Sequence, residues 1–139
     1  MLRVMVVDES PECAERLRQG LGEAGHVVVA TLTSTVDIYE RVEREQPDII
    51  VINDDSANRD SLEQICVVSQ HRPKPIVLFT QNQDSNTIEA AVRAGVSAYI
   101  VDGLESSRVR AILNVAVAHF NQYQALQKEL VQSKVKIDD

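Results

Sequence analysis

A chain of 139 residues with 44% hydrophobic and 25% charged residues has the size and composition of one globular domain, long enough to bury a core without cross-links. A formal net charge of -7 excludes an ordinary nucleic-acid surface, which needs clustered Lys and Arg, and suits a Mg²⁺ site or a basic protein partner instead. Cys13 and Cys66 are expected as buried thiols on helix faces, not as a disulfide or metal pair, and no apolar run approaches the roughly 20 residues of a membrane span.

The first predicted element is a strand over residues 2–7. It begins almost at Met1, which leaves no room for a signal peptide, so the chain is expected in the cytoplasm. Ser10-Pro11 then reads as an N-cap followed by proline at the first helical position. Cys13, Leu17 and Leu21 recur four apart on that helix, and Gly25 is placed to end it. A second strand is predicted over 26–30. Ser34 with Asp37 reads as a capping-box-like start to the second helix, which ends near Glu45 before Pro47.

The third strand is predicted over 48–52. The third helix carries an apolar stripe of Leu62, Ile65, Cys66 and Val68. A fourth strand over 75–79 follows, then a helix started by Asn86 with Glu89 and ended by Gly95, then a fifth strand over 97–101. Strands one, three and four are continuous apolar runs, which means burial on both faces, as in a parallel sheet sandwiched by helices. The βα alternation predicts a flavodoxin-like (βα)5 doubly wound parallel sheet of order 2-1-3-4-5 with right-handed crossovers.

From about Glu105 a last helix meets no breaker before the C-terminus. Val109, Ile112, Ala116, His119, Tyr123, Leu126 and Leu130 repeat with 3-4 spacing. Covering the sheet takes only the first half of this helix. Residues 1–120 are therefore expected as the domain, and 121–139 as a helical extension that begins a coiled-coil stalk. Tyr123, Leu126 and Leu130 form its expected dimer seam, and His119 is expected to be packed there. His26 and His71 read as surface residues, His71 in a loop.

Polar residues gather at the strand ends: Asp8-Glu9, Asn53-Asp54-Asp55, Thr80-Gln81 and Asp102. In an open α/β sheet ligands bind beyond the carboxyl ends of the strands. Carboxylates there suit Mg²⁺, although loop acids also serve as helix caps, the stronger reading for Asp55, Asp60 and Asp84.

Val6-Val7-Asp8-Glu9-Ser10, Pro47-Asp48-Ile49-Ile50-Val51-Ile52, Pro75-Ile76-Val77-Leu78-Phe79-Thr80 and Ala94-Gly95-Val96-Ser97-Ala98-Tyr99-Ile100-Val101 resemble, in order, the motifs of response-regulator receiver domains. The Pro75–Thr80 run, Gly95–Leu104 and the helix through Gln124-Ala125-Leu126 look closest to the AmiR/NasT antitermination regulators. In that group the helix leads into a coiled coil and an RNA-binding ANTAR domain. None is present here, so the chain looks like a receiver fragment or a stand-alone receiver, without enzymatic activity of its own and without nucleic-acid contact.

The resemblance implies roles. Asp8 and Glu9 match the acidic pair that holds Mg²⁺, Thr80 the switch hydroxyl and Tyr99 the switch aromatic. The phosphoacceptor position, six residues after Pro47, falls on Asn53, and the lysine position falls on Asp102, a departure known in the AmiR/NasT group. A carboxamide is a poor nucleophile, so Asn53 is not expected to take a phosphoryl group. The expectation is a pseudo-receiver with weakened Mg²⁺ binding, driven by a sensor kinase or ligand-sensing regulatory protein, and a homodimer through the C-terminal helix. Two alternatives stay open on phosphate chemistry: Asp54 as acceptor after a bulge of strand three, or an introduced substitution at Asn53. A small Mg²⁺-dependent phosphohydrolase is a further alternative, disfavoured because no glycine-rich loop follows strand one and no basic residue is evident nearby.

Overall fold

The computed structural model describes residues 1–101 and 108–138. Five strands alternate with five helices: β1 Arg3–Asp8, α1 Pro11–Glu23, β2 Val27–Leu32, α2 Ile38–Glu45, β3 Ile49–Asn53, α3 Arg59–His71, β4 Ile76–Thr80, α4 Ser85–Ala94, β5 Ala98–Val101 and α5 Val109–Asp138. The strands form one parallel sheet of order β2-β1-β3-β4-β5. This is the expected flavodoxin-like order.

The side-chain period of two divides each strand between two cores. Met5, Val7, Ile50, Ile52, Ile76 and Leu78 face α2, α3 and α4. Val4, Val6, Ile49, Val51, Val77 and Phe79 face α1 and α5. Both sets are fully buried, which is why these strands read as unbroken apolar runs. Cys13 and Cys66 are free and half-buried, so neither thiol is in the core proper.

Several helix boundaries differ from the sequence expectation. Ser10 does cap α1, accepting from the Cys13 N–H at 3.3 Å, but the buried face of α1 is Ala14, Leu17, Gly20 and Leu21, one residue round from Cys13. No capping box opens α2. The Ser34 hydroxyl accepts from the Val36 N–H at 3.3 Å, which makes a local turn, and the helix begins at Ile38. α4 starts two residues before Asn86 would place it, with Asp84 at the cap position. His71 is the last residue of α3, not a loop residue, and stands edge-on to Tyr39 with ring centroids 5.9 Å apart.

Candidate functional site

β1 and β3 are neighbours in parallel register, and that register places Asp8 beside Asn53 at their carboxyl ends. Asp8 is buried, at 4% exposure. A buried carboxylate must be hydrogen-bonded. Here Oδ1 accepts from the Ser10 N–H at 3.0 Å, and Oδ2 accepts from the Asn53 Nδ2–H at 3.1 Å. The Asn53 amide must turn its nitrogen to Asp8, because its oxygen would meet a second acceptor. Position 53 therefore points into the crevice beside Asp8 and fills it with a donor.

Asp54 is held elsewhere. Its Oδ1 accepts from the Ser56 N–H, the Ser56 hydroxyl and the Ala57 N–H at 3.1, 3.0 and 3.2 Å. It is the organising residue of the turn into α3, which carries Ala57 at φ 46°. Its backbone N–H still pairs with the Phe79 carbonyl at 2.9 Å, so β3 runs through Asn53 without slipping register. The bulge that would present Asp54 in place of Asn53 is not found.

Glu9 is exposed and lines a cavity of about 270 Å³ with Thr33, Thr35, Asn53, Asp54 and Ser61. The acidic pair thus splits into one buried and one exposed carboxylate. Among the described residues no group of three or more His, Cys, Asp or Glu side chains comes together to hold a metal ion. Both oxygens of Asp8 already accept N–H bonds, one from the amide that stands where a third carboxylate would stand. This donor set does not fit a tightly held Mg²⁺, which wants free carboxylate oxygens.

Thr80 is buried at the end of β4. Its hydroxyl donates to the Asp55 carbonyl at 3.1 Å and accepts from the Asn82 N–H at 3.2 Å. Tyr99, on β5 beside Leu78 in register, donates its hydroxyl to the Asn82 carbonyl at 2.7 Å. Burial pushes the Tyr99 phenol above its ordinary pKa, with the Thr80 hydroxyl pulling the other way. The pair inferred from the sequence is therefore joined through a residue the sequence reading missed. Asn82 also donates its side-chain amide to the Ser56 carbonyl at 3.0 Å and accepts from the Asp84 N–H at 2.9 Å. The Asn-x-Asp spacing before a helix was the available signal for this turn.

Arg16 is a second omission. It lines a cavity of about 320 Å³ with Cys13, Asn53, Asp55, Thr80 and Gln81, so a basic side chain does border the crevice. It lies in the second turn of α1, and only its i, i+3 spacing from Cys13 could have placed it there. Asp102 lies outside the described residues. Tyr123, Leu126 and Leu130 are all on α5 and exposed, at 59%, 53% and 59%. His119 is exposed in the single chain as well, with Nδ1 3.4 Å from the Ser97 carbonyl. His26 is no ordinary surface residue: it is half-buried, and its Nδ1 accepts from the Leu2 N–H at 3.1 Å. No helix among the described residues is long and apolar enough to cross a membrane.

Residues 4–114 match the family described as the response regulator receiver domain. The transcriptional regulatory protein PdtaR of Mycobacterium tuberculosis is 24% identical over 136 residues, covering 98% of this chain and 66% of that protein. A protein-glutamate methylesterase/protein-glutamine glutaminase of Paramagnetospirillum magneticum is 29% identical over 94 residues, covering 67% of this chain and 27% of that enzyme. The chain thus spans less than two thirds of the length of these relatives. Among solved structures, a pilus assembly-related protein of Burkholderia pseudomallei superposes with a TM-score of 0.75 at 26% identity, covering 86% of this chain and 91% of that one. The receiver domain of NarL from Mycobacterium tuberculosis superposes with a TM-score of 0.73 at 19% identity, covering 83% of this chain and 95% of that one, a likeness of fold.

Proposed function

The chain belongs to the response regulator receiver domains of two-component signalling, and from that premise we propose that it is a receiver whose input is a binding partner and not phosphorylation, at position 53 or beside it. The observation that carries this reading is the 3.1 Å hydrogen bond from Asn53 Nδ2 to Asp8 Oδ2. Receiver domains ordinarily take a phosphoryl group from a sensor kinase on a carboxylate beside Mg²⁺. An amide oxygen is a poor nucleophile, and here the amide nitrogen stands against Asp8 as a neutral donor where that chemistry needs a cation. Asp54 is a weak substitute, because three turn bonds to its Oδ1 hold the carboxylate in the loop that leads into α3, away from Asp8. A phosphohydrolase using Asp8 is weaker still, since both of that carboxylate's oxygens are engaged.

In this reading a partner protein, a sensor kinase or a ligand-sensing regulator, biases the Thr80–Asn82–Tyr99 linkage in place of phosphate. The output leaves through α4, β5 and α5, with two chains joined along Tyr123, Leu126 and Leu130. Residues 1–120 act as the receiver and 121–139 as the start of a stalk, working in the cytoplasm without membrane or direct nucleic-acid contact. The resemblance to the AmiR/NasT group points the output toward transcription antitermination, and the similarity to a transcriptional regulatory protein supports control of gene expression.

Acetyl phosphate with Mg²⁺, followed by intact mass measurement, tests the reading. The unchanged chain gains no adduct, and Asn53→Asp gains a labile one of about 80 Da. A stoichiometric adduct on the unchanged chain, lost in Asp54→Ala, would sink the proposal.

A further inference from the structure

At the opposite end of the sheet from Asn53, the last turns of α3 and α4, the turn into β5 and the middle of α5 border a cavity of about 440 Å³. That is the size of a pocket for a small organic molecule. Its frame is preformed, because Ser69 of α3 packs directly on Gly95, where an added Cβ would lie 1.9 Å from the hydroxyl oxygen.

The walls are aromatic in a chain that has few such residues: two Phe, three Tyr and no Trp. Phe79 and Tyr39 pack into the two cores, and Tyr99 donates to the Asn82 carbonyl. The remaining two, Phe120 and Tyr123, both line this cavity. Phe120 is not needed by the core, whose face on α5 ends at Ala116 with Val117 at its edge. Nor does it belong to the 3-4 series that carries the seam, since it falls one residue past His119. Val92 of α4 lines the same cavity while more than half exposed. Apolar surface left open around a concavity is what a ligand covers, and aromatic walls favour a flat ring stacked against them.

The charge of the cavity sets the other half of the ligand. Among its described lining residues Arg93 is the only Asp, Glu, Lys or Arg. On a chain of net charge -7 this is a local positive spot. Arg93 is tied to Glu89 at 3.6 Å, but both side chains are exposed, and ion pairs of that kind are weak and screened. A ligand carboxylate presented from the cavity can engage the same guanidinium through two parallel hydrogen bonds. Gln70 and Gln124 add neutral amides at the lining.

We propose that this cavity is an effector site for a one- or two-ring aromatic carboxylate, with its ring against Phe120, Tyr123 and Val92 and its carboxylate on Arg93. The site owes nothing to position 53, so it acts beside a partner's input and not in place of it. A ligand there touches α3, α4 and α5 together and braces the outgoing helix just beyond its last core contacts.

The probe is 2-naphthoate, titrated into the isotope-labelled full chain while backbone amide shifts are followed by NMR. Its uncharged analogue 2-naphthamide and the non-aromatic cyclohexanecarboxylate are titrated in parallel. Naphthoate is expected to bind more tightly than either and to give saturable shifts centred on residues 69–73, 92–97 and 119–124. Arg93→Gln should weaken naphthoate about three- to fivefold, the scale of an exposed ion pair, and leave naphthamide unchanged. Phe120→Ala should weaken both. Unaltered shifts over the rest of the sheet show that each variant is folded, and Arg93 is exposed enough for its variant to carry the test alone. No saturation by about 10 mM overturns the inference, as do shifts centred elsewhere. Naphthoate binding no better than naphthamide or cyclohexanecarboxylate overturns it too, because charge or ring would then count for nothing.

Discussion

Asn53 makes the crevice self-sufficient: an N–H takes the place against Asp8 that a cation fills in a crevice of carboxylates. Asn53→Asp would set two carboxylates in register at adjacent strand ends with no donor between them. Losing a hydrogen bond to a charged group costs about 1.5–3 kcal/mol, and repulsion adds to that. Thermal melts of Asn53→Asp in EDTA are therefore expected to fall well below those of the unchanged chain. Mg²⁺ should recover the variant's loss and hardly move the unchanged chain. A second residue sets an acid limit. Burial, aided by the positive N-terminus and Arg110, holds the His26 imidazole below its ordinary pKa. The folded state thus resists the proton that the unfolded chain accepts. That contribution is intact above about pH 6.5 and is lost as the pH falls from there toward the lower folded value. Denaturant unfolding between pH 8 and 5 is expected to show this limb, flattened in His26→Gln. Asn53 was legible by its place in the motif, since strand register alone decides what faces Asp8. Asn82 was not, because all four of its contacts use or meet loop backbone, which no side-chain pattern announces.

Elements were legible wherever one chemical rule had no competitor. Ser10-Pro11 could only open a helix, and Gly95 could only close one. Ser34 failed as a cap because its hydroxyl found a nearer N–H in a turn, the usual rivalry between local side-chain bonds and helix starts. Two glycines that end helices separate conformational need from packing need. Gly25 has φ 88° with open space around a built Cβ, whereas Gly95 has φ 110° and a Cβ there would lie 1.9 Å from Ser69 Oγ. Gly25→Ala is expected to cost only the left-handed strain, about 1–2 kcal/mol. Gly95→Ala should cost that and more, because α3 must give way as well. Urea unfolding of the two variants side by side checks the order. Equal losses would mean that α3 yields at little cost, because Ser69 Cβ would lie 2.6 Å from the added Cβ and does not move when the hydroxyl rotates.

At the scale of the whole molecule, the sheet order and both cores follow from which strands are apolar on two faces. The stalk does not follow from them, because an exposed seam has no partner inside the chain to fix it. The buried face of α5 ends at Ala116, with Val117 packed at its edge, so the hydrophobic core is complete before the helix leaves the domain. Ending the chain after Phe120 removes Tyr123, Leu126 and Leu130 but no core residue. Burying each such leucine in a pair of helices contributes about 1.5–3 kcal/mol, set against a cost of association of at least about 4 kcal/mol, so a seam this short supports only a weak dimer. The shortened chain is thus expected to melt within about 2 °C of the full chain at low concentration, where both are monomers. At high micromolar concentration light scattering should find the full chain near twice the monomer mass and the shortened one unpaired. If both formed the same dimer, the contact would lie on the receiver body, and the long helix would serve some purpose other than joining two copies.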